Sequence, residues 1–76
     1  MKGVLIHPNQ DGDTRTEFDT ADPASVEKAM AEFNRIVGLG HRGVALAPNG
    51  GHEHTALKGF DPNVETTFFI PQIIGG

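Results

Sequence analysis

Asp22-Pro23-Ala24-Ser25-Val26-Glu27-Lys28-Ala29-Met30-Ala31-Glu32-Phe33-Asn34-Arg35-Ile36-Val37-Gly38 is the stretch that decides the fold. Asp22 suits a helix N-cap. Pro23 suits the first helical position, where its missing N–H costs no hydrogen bond. Val26, Ala29, Met30, Phe33, Ile36 and Val37 then recur at steps of three and four, which makes one apolar stripe at 3.6 residues per turn. Glu27, Lys28, Glu32 and Arg35 occupy the other face. Gly38 or Gly40 would end the helix in a left-handed cap. The spacing predicts one helix over about residues 23–38.

Before the helix, Val4-Leu5-Ile6 reads as a short strand ended by Pro8, since proline cannot donate to a ladder. Asn9-Gln10-Asp11-Gly12-Asp13 is dense in turn formers, and Asp-Gly favours a hairpin, with Thr14–Phe18 as the returning strand. After the helix, Gly43–Ala47 reads as a third strand closed by Pro48-Asn49-Gly50-Gly51. Thr55–Gly59 reads as a short fourth strand or edge, and Asp61-Pro62-Asn63 as a turn. Thr66-Thr67-Phe68-Phe69-Ile70 is β-branched and aromatic, the strongest strand signal in the chain, and Pro71 stops it. No linker, repeat or low-complexity tract interrupts this order. It predicts an α+β layout, β-β-α-β-(β)-β, with one helix covering one sheet. Residues 1–74 make a single domain and residues 75–76 a tail.

Size and charge bound what such a domain can do. A chain of 76 residues buries only about 60% of the surface it exposes when unfolded, which excludes a two-domain enzyme. Six Lys and Arg face ten Asp and Glu, a net charge of −4. The basic residues Lys2, Arg15, Lys28, Arg35, Arg42 and Lys58 are scattered singly, without the patch that nucleic-acid binding requires. No cysteine is present, so thiol catalysis, zinc-thiolate sites and disulfides are all excluded. Only Val4-Leu5-Ile6 are consecutively apolar before His7-Pro8, where a signal peptide needs about 7–15 such residues. These features predict a cytoplasmic protein that binds neither nucleic acid nor membrane.

Most polar clusters are better read as structure than as chemistry. His52 and His54 flank Glu53 and would share a face of an extended segment, yet two histidines fall short of the four ligands of a zinc site. They stand as weak metal candidates, beside the simpler reading of a polar loop next to Gly50-Gly51. Asn9–Asp13 resembles a calcium loop only superficially. Counted from Asn9, positions six and twelve hold Thr14 and Thr20 in place of the required Gly and Glu. Asn49-Gly50-Gly51-His52 is too short for a phosphate cradle, and no helix follows it. The single serine, Ser25, lies in the first helical turn, where its hydroxyl suits local backbone bonding. No catalytic constellation emerges, and none of these readings calls for an intrinsic cofactor.

The C-terminal residues differ. Phe68-Phe69-Ile70-Pro71-Gln72-Ile73-Ile74-Gly75-Gly76 runs from a strand through proline into an apolar tail that closes on two bare glycines. Glycine adopts backbone conformations closed to other residues, and without side chains the tail can thread a narrow channel and present its carboxylate.

On Phe69, Ile70, Pro71, Ile73, Ile74, Gly75 and Gly76 the chain resembles the ubiquitin-like β-grasp proteins. It comes nearest to their prokaryotic sulfur carriers, such as the molybdopterin-synthase small subunit and the thiamine-pathway carrier. Gln72 departs from that pattern, which often has a second proline there, and Ile74 is bulkier than usual. The resemblance implies a mixed sheet with one covering helix and the last strand central. It implies a chain that is not an enzyme, whose Gly76 carboxylate is adenylated by an E1-like adenylating enzyme and then passed to sulfur or to an acceptor protein. ATP and magnesium would belong to that enzyme. Phe69, Pro71, Ile73 and Ile74, with the exposed sheet face, would meet the partner. Gly12-Asp13-Thr14, Asp22–Val26, Phe60-Asp61-Pro62 and Gly75-Gly76 also resemble, more loosely, segments of small uncharacterised bacterial and viral proteins. That resemblance implies almost no chemistry but keeps a viral or mobile-element origin open; the alternative expectation is a small binding or assembly protein of such an element that uses the tail for docking and could form homo-oligomers.

Overall fold

In the computed structural model the structure describes residues 1–10, 12–46 and 54–71. The helix α1 spans Pro23–Gly38, as its sequence requires. Asp22 is extended at φ −119°, ψ 96°, and its carboxylate accepts the Ala24 N–H at 3.2 Å. Pro23 opens the first turn. At the other end Leu39 is the C-cap. Gly40, at φ 96°, takes the left-handed position that sequence left open between Gly38 and Gly40.

The strands are β1 (Lys2–Asn9), β2 (Gly12–Asp19), β3 (His41–Leu46), β4 (His54–Ala56) and β5 (Thr66–Pro71). They form one mixed sheet in the order β2-β1-β5-β3-β4. β5 is central: parallel to β1, with Leu5 opposite Thr67, and antiparallel to β3, with Gly43 opposite Phe69. The hairpin β1–β2 closes at Asn9 and Gly12, where Gly12 has φ 118° and Asn9 Nδ2 donates to Thr14 Oγ1 at 2.8 Å.

Pro8 corrects the expected end of the first strand. β1 continues through Pro8 to Asn9 against β2, whereas its ladder with β5 stops at Ile6 opposite Phe68. Val4 donates its N–H to Glu65 on the β5 side at 2.9 Å. Ile6 and Pro8 share its parity, so the donor that Pro8 lacks belongs to the β5 ladder alone. Pro71 likewise belongs to β5, opposite His41, instead of lying beyond it. β4 is shorter and earlier than the expected Thr55–Gly59. Leu57 leaves the strand to pack on the core, its N–H bonded to the Gly43 carbonyl at 2.9 Å. β3 begins at His41, two residues early, and its expected end at Ala47 lies outside the described residues.

Leu5, Phe18, Ala29, Phe33, Ile36 and Phe69 are buried together between α1 and one sheet face, with Val26, Leu57 and Phe60 packed around them. Phe60 stands edge-on to Phe18 at 5.3 Å and to Phe33 at 6.1 Å, which closes the core from the Asp61–Asn63 turn. In that turn Asp61 Oδ1 accepts the Asn63 N–H at 2.9 Å. Two strand glycines serve packing. A Cβ on Gly3 would come within 2.3 Å of the Phe18 ring, and one on Gly43 within 2.6 Å of Phe33. Both aromatic rings occupy space that a side chain at these positions would need. Met30 and Val37, expected in the core stripe, are 45% and 42% exposed. Ala29, Phe33 and Ile36 already fill a sector of about 60°, and the other two fall on its flank. Among the described residues no helix is long and apolar enough to cross a membrane.

Candidate functional site

Strand alternation divides the sheet into two faces. Gly3, Leu5, Phe18, Gly43, Thr67 and Phe69 point towards α1. Val4, Ile6, Val44, Leu46, Phe68 and Ile70 therefore point the other way, on the face that α1 does not cover. Register aligns Ile6, Phe68, Val44 and Ala56 in one row across four strands. Val44 is buried by its neighbours, Val4, Ile6, Leu46 and Phe68 are half-buried, and Ile70 is 40% exposed. Arg15 opposite Ile6 and Arg42 opposite Ile70 put cations at the margins of this apolar strip.

The partner-binding residues expected from sequence divide accordingly. Phe69 is only 1% exposed and belongs to the core, because a strand residue that faces a covering helix cannot also face a partner. Its neighbours Phe68 and Ile70 take the open face. Pro71 is exposed at the end of β5. Ile73, Ile74, Gly75 and Gly76 lie outside the described residues, as does His52. His54 stands in β4 opposite Leu46. Among the described residues no group of three or more His, Asp or Glu could hold a metal ion.

Ser25 behaves as its position implied. Its hydroxyl lies 2.8 Å from the Asp22 carbonyl and 3.1 Å from that of Asp19, and it accepts the Asp19 N–H at 2.9 Å. With Lys2, Glu17, Phe18 and Asp19 it borders an open groove of about 490 Å³ at the start of β1. Two of the groove's carboxylates serve the fold: Asp22 caps α1, and Asp19 accepts the Ala21 N–H at 2.9 Å. Nothing there is arranged as a nucleophile with its base.

One juxtaposition escaped sequence reading. His7 and His41 meet with ring centroids 4.8 Å apart, at the opposite end of β1. On α1, Arg35 binds Glu32 through Nε to Oε2 at 3.1 Å and through Nη2 to Oε1. The bond to Arg35 holds the Glu32 carboxyl below its ordinary value of 4.5. Burial, then the charges of His41 and Arg35, hold His7 below 6.5, and Glu32 opposes them weakly. Residues 34 positions apart carry no local signal of such a meeting; the register of β3 beside β5 creates it. Comparison with family models, curated proteins and solved structures finds no match to this chain.

Proposed function

We propose that this chain is a ubiquitin-like carrier of the β-grasp kind, whose Gly76 carboxylate is activated by an adenylating enzyme for sulfur transfer or protein conjugation. The central β5 parallel to β1, the β2-β1-β5-β3-β4 order and the single covering helix agree with that arrangement. The observation that carries the reading is the course of β5. It contributes Phe68 and Ile70 to the uncovered apolar face and leads through Pro71 directly into Gln72–Gly76. An enzyme seated on that face is thereby positioned beside the root of the tail. ATP would convert the carboxylate to an acyl-adenylate with release of pyrophosphate, and a sulfur donor or an amine would then displace AMP. A chain without cysteine draws any sulfur from its partners.

Removal of Gly75-Gly76 is expected to leave the thermal midpoint unchanged and to abolish every adenylated or thiocarboxylated form of the chain. A truncated chain that still carries either modification contradicts the proposal. The exposed Ile70 also favours a second reading, self-assembly through the same face. Sedimentation equilibrium that finds a strict monomer at high concentration eliminates it.

A further inference from the structure

His7 and His41 stand where the chain leaves β5. His41 is the register partner of Pro71, the residue before Gln72–Gly76. The polar backbone groups of Gly43 face β4, as its bond from the Leu57 N–H shows, and His41 shares its parity, so His41 and Pro71 are a non-hydrogen-bonded pair that side-chain packing holds. His7 stands edge-on to His41 at 68° and edge-on to Phe69 with centroids 6.1 Å apart. Nδ1 of His41 is buried and has no hydrogen-bond partner among the described residues. A proton there would be a buried N–H without an acceptor, and only a turn of the ring or an opening of the strand end could satisfy it.

We propose that His7 and His41 form an acid-sensitive clasp at the root of the tail. As neutral rings they pack together and hold the Pro71 end of β5 against β3; as two cations they repel each other and release it.

The surroundings favour release over a compensating ion pair. From α1 His7 meets Arg35, a further cation, and Glu32, whose oxygens are already bound by that Arg35. From β2 the register partner of His7 is the uncharged Thr14. From β5 come Phe69 and Pro71, and the neighbouring Arg42 of β3 points to the opposite face. His7, held below 6.5 by burial and by these cations, binds its proton more readily in the unfolded chain. Its contribution is therefore complete above about pH 6.5 and is lost as pH falls from there towards the folded value. Glu32, held below 4.5, keeps its contribution until pH falls below that value, which separates its loss from that of His7. The clasp governs access to the tail root whatever use the tail serves.

Thermal midpoints and amide protection factors of the intact chain between pH 7.5 and 5.0 test the clasp. The midpoint is expected to fall by about 5 °C or more, and protection of the Ile70 and Arg42 amides to drop on the order of tenfold relative to Thr16 in the distant hairpin. H7Q is expected to flatten this pH dependence, and H41Q to reduce it by the share that repulsion contributes while leaving the part that burial of His7 sets. A fall that survives both single variants, or protection lost evenly over the sheet, overturns the proposal. Should either variant fail to fold, imidazole proton NMR of the unaltered chain decides. Two coupled titrations, one of them below pH 6.5, support the clasp, and two independent ones near 6.5 refute it.

Discussion

Gly43 and Phe33 show how a single atom can matter in so small a core. A methyl group on Gly43 would sit 2.6 Å from Cε2 of Phe33, so the buried Phe33 ring, itself packed against Phe69 and Phe60, would have to shift. Gly43→Ala is expected to cost about 1–3 kcal/mol in urea denaturation. Gly38→Ala is the control. Gly38 ends α1 with nothing within 4 Å of its added Cβ and no positive φ, so alanine is expected to stabilise by about 0.5–1 kcal/mol. Thr67 is 1% exposed, and its hydroxyl has no partner among the described residues. Thr67→Val replaces that stranded polar atom with a methyl group and is expected to raise stability by about 1 kcal/mol in the same assay. Neither the role of Gly43 nor that of Thr67 was legible in sequence. Glycine there looked like an ordinary strand start and threonine like an ordinary β-former; each role is set by neighbours from distant segments.

At the level of elements, legibility followed the range of the forces involved. The limits of α1 rest on local chemistry, the Asp22 cap, Pro23 and the glycines at the far end, and sequence placed them well. Asp22→Ala is expected to cost about 1 kcal/mol through loss of the bond to Ala24 N–H. The width of the buried stripe was less legible, because it depends on how the helix sits on the sheet. Phe33→Ala is expected to cost about 3–5 kcal/mol, whereas Met30→Gln on the exposed flank stays within about 0.5 kcal/mol. Both are read from equilibrium unfolding. Pro8 makes the same point for strands. Sequence established that a donor was missing, and only the sheet order showed which of two ladders was missing it.

Across the whole molecule, the resemblance to β-grasp proteins implied a central last strand, and β5 lies between β1 and β3. That placement divides Thr66–Pro71 between two tasks: Thr67 and Phe69 face the helix, while Phe68 and Ile70 face outwards. Sequence assigned Phe69 to the partner surface because aromatic character alone does not reveal parity; one residue of register decides it. The same placement puts the end of β5 beside the start of β3, where His7 and His41 meet, so the open face, the histidine pair and the tail root converge on one strand. If that convergence serves a carrier, the carboxylate at Gly76 is where chemistry must appear. Intact-mass spectrometry of the chain purified from its native cells tests this most directly. Exchange of one oxygen for sulfur, or an adenylate adduct, located to Gly76 is the expected result. A chain of unmodified mass under every growth condition, even with ATP and magnesium present throughout purification, would contradict it.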